Sequence, residues 1–207
     1  MRDKVVCFIL SFINKNRNIT KEENEIIKYG LETFYIVITK TLLIALIMAC
    51  IGMLDAFLLF FITYGVIRTF SFGVHAGKSW ICTIISILIY MIVPSLCKYI
   101  DIPIYGVYII GLISILILGI FSPADTEKRP IISPKRRMFY RTITLLIAII
   151  YFVIAIVINN SFISNLFLFA LVVQSIMVAP TTYRLLDQQY NNYRFYNDWE
   201  EVIRCHF

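Results

Sequence analysis

The chain has 207 residues, of which 59% are hydrophobic and only 15% are charged. A soluble domain is nearer half apolar and about a quarter charged, so this composition excludes an ordinary soluble fold and points to an integral membrane protein. The formal charge of +6 would suggest nucleic acid in a soluble protein; in so apolar a chain it reads as basic loops beside a membrane, and no nucleic-acid partner is expected.

The opening stretch "MRDKVVCFILSFINKN" has a basic start and a short apolar run, with no small-residue cleavage site after it. It reads as an amphipathic surface helix rather than a secretory signal. With the charged stretch "KNRNITKEENEIIKYG" it forms a cytoplasmic N-terminal region over residues 1–30. Six runs then predict membrane-crossing helices, near 34–52, 54–67, 79–97, 104–121, 142–158 and 162–180. The first contains Lys40, which can snorkel toward an interface. The second is short and begins beside Asp55. Pro94 can kink or terminate the third. Residues 34–180 therefore predict an all-α polytopic membrane protein, residues 181–207 a cytoplasmic tail, and residues 1–207 a single membrane-embedded domain.

Lysine and arginine set the orientation. Arg2, Lys4, Lys15, Arg17, Lys21 and Lys28 precede the first span, and Arg68 and Lys78 follow the second. Lys128, Arg129, Lys135, Arg136, Arg137 and Arg141 follow the fourth, and Arg184, Arg194 and Arg204 lie in the tail. The opposite side holds Lys98 alone. This asymmetry predicts both termini in the cytoplasm. The loop "SPADTEKRPIISPKRRMFYR" reads as extended and cationic. Plain topology and anionic lipid account for its charge; docking of an acidic substrate segment is the functional alternative.

Several enzyme patterns are missing. The chain has no HExxH, no GxSxG and no GxxxxGK[ST], so a zinc-protease helix, one common serine-hydrolase arrangement and a P-loop are excluded. The spans carry almost no deep charge, which argues against an ion-coupled transporter. Five scattered cysteines without a CxxC pair predict no metal site. Cys7, Cys50 and Cys97 read as small hydrophobes. Cys205 and His206 are adjacent, so their side chains diverge and make a poor pair.

The stretch "RTFSFGVHAGKSWICTIIS" is left. It brings His75 and Cys82 close together at an interface, and imidazole can take the proton of a thiol so that the thiolate attacks. Arg68, Lys78 and a helix start supply positive potential to such an anion. In one straight helix, residues seven apart lie about 10 Å apart along the axis, too far for a hydrogen bond. The pair therefore needs a bend, which Gly73 and Gly77 permit; their GxxxG spacing can also be read as helix packing. On spacing alone, an unrelated histidine and cysteine remain equally open.

The pattern Arg68-x4-Gly73-x-His75-x6-Cys82-x3-Ser86 resembles the signature of the accessory gene regulator protein B (AgrB) family, and "SPADTEKRPI" is similar to that family's proline-bounded basic loop. The resemblance covers roughly the first 180 residues. It implies a bacterial membrane cysteine endopeptidase, without cofactor, that processes a quorum-sensing peptide precursor. Cys82 would be the nucleophile and His75 the base. Cys82 would form an acyl-enzyme and release an acidic tail, and the precursor's own side chain would then close a thiolactone or lactone ring. The partner implied is an AgrD-like precursor with an amphipathic leader and an acidic tail. Lys128 and Arg129 would pair with that tail, Arg68 would favour the thiolate or orient the loop, and Ser86 would orient substrate or simply bond its own helix. Asp125 is only a distant candidate for a third member of the dyad. The tail after Pro180 is longer than the resemblance leads one to expect. So small a membrane enzyme is compatible with a homodimer. The rival reading is a small multispan peptide exporter or transporter without covalent chemistry.

Overall fold

The computed structural model describes residues 2–16, 21–77, 79–127, 130–158 and 160–194. Among these the fold is helical apart from its connecting loops, where Phe72 and Ala124 form an isolated bridge. The helices are α1 (Arg2–Asn16), α2 (Lys21–Cys50), α3 (Leu54–Ser71), α4 (Ser79–Tyr99), α5 (Ile104–Phe121), α6 (Pro134–Val157), α7 (Ser161–Val178) and α8 (Pro180–Leu185). Six of them, α2 to α7, are long and apolar enough to cross a membrane. The predicted spans are all present.

Their boundaries moved most in three places. α2 begins at Lys21, well before residue 34, because the charged stretch before the apolar run is helical too. α6 begins at Pro134, not near 142. Proline suits the first helical turn, where its missing N–H has no partner to lose. Lys135, Arg136, Arg137 and Arg141 therefore sit on a helix, and only residues before Pro134 belong to the basic loop. α3 runs 18 residues to Ser71 rather than ending near 67, about 27 Å, so the second span is as long as α5 and α7. α4 passes through Pro94 and ends at Tyr99, so that proline does not terminate it.

The chain falls into two compact units, Met1–Gly52 and Met53–Phe207. In the first, α1 packs on α2. Val6 and Leu10 of α1 are buried; four residues apart, they share a helix face, as an amphipathic helix requires.

In the second unit α7 touches α3, α4, α5 and α6. Lipid tails are as apolar as leucine, so helices in a bilayer associate through close packing and interhelical hydrogen bonds rather than hydrophobic burial. Both are visible around α7. Tyr151 of α6 packs edge-on against Phe167 of α7, with ring centroids 4.9 Å apart, and its hydroxyl donates to the Thr63 carbonyl of α3 at 2.8 Å. The Asn165 amide donates to the carbonyls of Cys97 and Ile100, satisfying the C-terminal end of α4. Nine residues further along α7, Gln174 is fully buried and performs the same service where α3 ends. α7 is thus the post to which the ends of its neighbours are tied.

Candidate active site

α3 ends in a reversal of the chain. Phe72 has φ 58 and Gly73 has φ 123, both positive. Residues 72–77 are not helical, and α4 starts at Ser79. The two glycines thus belong to a turn, not to a helix-packing motif. The bend required between His75 and Cys82 is present: His75 stands off the helix, and Cys82 lies in the first turn of α4.

Every backbone polar group of residues 72–74 has a partner. The Phe72 N–H donates to the Arg68 carbonyl at 3.1 Å, the Gly73 N–H to the Ala124 carbonyl at 2.9 Å and the Val74 N–H to the Met177 carbonyl at 3.0 Å. The Phe72 carbonyl accepts from Gln174 Nε2 at 2.7 Å. Arg68 Nη2 donates to the Val74 carbonyl at 2.7 Å and lies 3.5 Å from that of Gly73. In return the Ala124 N–H donates to the Ser71 carbonyl at 3.0 Å. A segment whose backbone groups are all paired, as at 72–74, has little freedom to change shape. It delivers His75, itself exposed, from a fixed platform. Arg68 thereby orients the loop, one of its two expected roles.

Cys82 is half-buried. Its direction follows from Tyr90, two turns further along α4. Tyr90 packs edge-on against Phe57, Phe60 and Tyr64 of α3, at 5.9, 6.0 and 5.9 Å between centroids. Residues 82, 86 and 90 share one helix face, so Cys82 and Ser86 lie on the side of α4 turned toward α3. The Ser86 hydroxyl donates to the Cys82 carbonyl at 2.8 Å, the plainer of its two expected roles. Tyr64 lies within electrostatic reach of both Arg68 and Cys82. Sequence reading missed it, although it stands four residues before Arg68 on the same face of α3. Gln174 was missed as well.

Lys128 and Arg129 fall outside the described residues. The flanks of their loop are firmly held. Asp125 is buried, and its carboxylate accepts from the backbone N–H groups of Ile131 (3.4 Å), Asn192 (3.1 Å) and Tyr193 (2.9 Å). The carboxylate thus clamps the tail to the loop. The Tyr183 hydroxyl lies 3.0 Å from the carbonyls of Ala124 and Asp125. Burial pushes its phenol well above the usual range, so it stays protonated and can donate. Arg137 stacks on the Tyr193 ring, 3.3 Å from its centroid, a cation–π contact. The tail also reaches the site loop, for a Cβ on Gly77 would meet Gln188 Nε2 at 3.0 Å. The described part of the tail, residues 181–194, whose role the sequence left in doubt, is thus tied to the described flank of the basic loop. Cys205 and His206 lie outside the described residues.

Residues 6–178 match the sequence model of the family described as Accessory gene regulator B. An AgrB-like protein of Listeria monocytogenes serovar 1/2a is 32% identical over 187 residues, covering 89% of this chain and 91% of the relative. An AgrB-like protein of Clostridium acetobutylicum is 28% identical over 180 residues, 86% of each chain. One from Lactiplantibacillus plantarum is 26% identical over 171 residues, 80% of this chain and 86% of its own. No solved structure matches. The chain belongs to the accessory gene regulator B family, and through it to quorum-sensing peptide processing.

Proposed function

We propose that this protein is a cysteine endopeptidase of the bacterial cell membrane, with Cys82 as nucleophile, His75 as base and both termini in the cytoplasm. One observation carries the reading: the turn at Phe72–Gly77 takes His75 off the helix that holds Cys82, and removes the straight-helix geometry that would keep the two apart. The basic loops give the site its cytoplasmic face.

The chemistry balances without ATP. His75 takes the Cys82 thiol proton as the sulfur attacks the scissile carbonyl carbon of the precursor. The C–N bond breaks, His75 returns the proton to the departing amine, and the acidic tail leaves. The thioester retains acyl-transfer reactivity. The precursor's own thiol or hydroxyl then attacks it, closing a thiolactone or lactone and releasing Cys82. Shielding from water favours ring closure over hydrolysis. A precursor whose ring-closing residue is replaced by alanine lacks that second nucleophile. It should accumulate as an adduct on the peptide that contains Cys82, seen by mass spectrometry under denaturing, non-reducing conditions. Absence of the adduct while the tail is still released would count against the acyl-enzyme.

Lys128 and Arg129 serve in this scheme as partners of the precursor's acidic tail. Lys128→Glu and Arg129→Glu together should lower processing about tenfold and leave membrane insertion intact. The deficit should shrink as salt rises, because exposed charge pairs are screened. Unchanged processing in membrane vesicles would remove the docking role.

A further inference from the structure

We propose that Gln174 is a positioning residue for the dyad: its amide, from α7, holds the turn that presents His75. The inference rests on the peptidase reading and adds a residue to it. Gln174 is fully buried in a mostly apolar helix whose other buried amide, Asn165, holds the end of α4. Its Nε2 donates to Ser71 Oγ at 2.5 Å and to the Phe72 carbonyl at 2.7 Å. One turn further along α7, the Met177 carbonyl takes the Val74 N–H. α7 therefore grips the loop on both sides of Gly73, and His75 is the next residue after that grip. A buried primary amide within a bilayer is costly. An apolar side chain of similar volume would fill the space but leave the Phe72 carbonyl without its donor. Gln174 Oε1 and Arg68 Nη1 are both buried without a hydrogen-bond partner. Two such groups beside one loop are polar character in excess of what satisfying the end of α3 requires, and they point to a positioning role.

The test uses the full-length protein in detergent micelles, with iodoacetamide as the probe and site-resolved mass spectrometry of Cys82. Alkylation reads the fraction of attacking thiolate without any substrate. His75→Ala should slow it about tenfold, and Gln174→Leu should approach the same rate. Gln174→Glu has the same shape; buried there it is held neutral, and its single O–H can serve only one of the two acceptors, so its rate should fall between wild type and Gln174→Leu. Ser71→Ala, a small change that keeps the chain folded, removes one of the two acceptors and should give a smaller loss. The decisive comparison is the pair: in the His75→Ala background, Gln174→Leu should have no further effect, because the two act through one group. In cleavage assays with a synthetic precursor, Gln174→Leu should lower kcat and leave KM unchanged. If His75→Ala slows alkylation and Gln174→Leu and Ser71→Ala do not, the role of Gln174 is overturned and the dyad stands. If His75→Ala itself leaves Cys82 reactivity unchanged, the dyad falls, and the inference with it. A Gln174→Leu effect of equal size with and without His75 would also overturn it, as mere loosening of the fold.

Discussion

Cys82→Ser should take precursor cleavage to background, about a thousandfold or more below wild type, and His75→Ala should lower it by about a hundred- to ten-thousandfold. Neither loss can be put down to unfolding. Cys82 is only half-buried and His75 is exposed, and substitutions at such positions shift stability little. Both variants should reach the membrane at wild-type levels, which immunoblots of membrane fractions would check. The serine variant is informative because its volume is nearly unchanged. What it lacks is a sulfur that ionises readily, and a hydroxyl beside one imidazole is a far weaker nucleophile. An exporter without covalent chemistry predicts the opposite: Cys82→Ala would leave function intact and a peptide flux would be measurable. Cleavage retained in either variant would sink the assignment of the dyad.

The membrane spans were legible in the sequence because an apolar run of sufficient length has few other uses in a chain so poor in charge. The ends of the spans were less so. Residues 21–33 extend α2 even though they include charged side chains, since backbone helicity needs no apolar side chains. The basic residues after Pro134 looked like loop for the same reason. His75 and Cys82 were legible through a family resemblance, and the need for a bend came from helix geometry. Gln174 was not legible. A single amide in an apolar run has no spacing signal, and its partners Ser71 and Phe72 lie more than a hundred residues away in the chain. The clamp at Asp125 was hidden likewise, because its ligands Asn192 and Tyr193 offer backbone N–H groups, which any sequence could supply.

Gly73→Ala should be the most damaging single-carbon change in the loop, whereas Gly77→Ala should be mild. Gly73 has φ +123, a conformation that L side chains rarely adopt; holding alanine there costs about 1–3 kcal/mol. Space is also lacking. The new Cβ would lie 2.5 Å from Arg68 Nη1 and 2.9 Å from the Met177 carbonyl oxygen. Neither neighbour can retreat freely. The Met177 oxygen accepts the Val74 N–H, and the Arg68 guanidinium donates to the Val74 carbonyl. Moving either one loosens the residue just before His75. Gly77 differs on both counts. Its φ lies outside the strained range, and its added Cβ would meet only Gln188 Nε2, the far end of a flexible side chain. Gly73→Ala should therefore reduce precursor cleavage about a hundredfold with insertion preserved, and Gly77→Ala should cost no more than a few fold. A GxxxG packing seam would respond differently. There both glycines line one helix face and both alanines would hurt alike. Equal sensitivity of the two positions in cleavage assays would restore the packing reading, and wild-type activity in Gly73→Ala would refute the turn described for this loop.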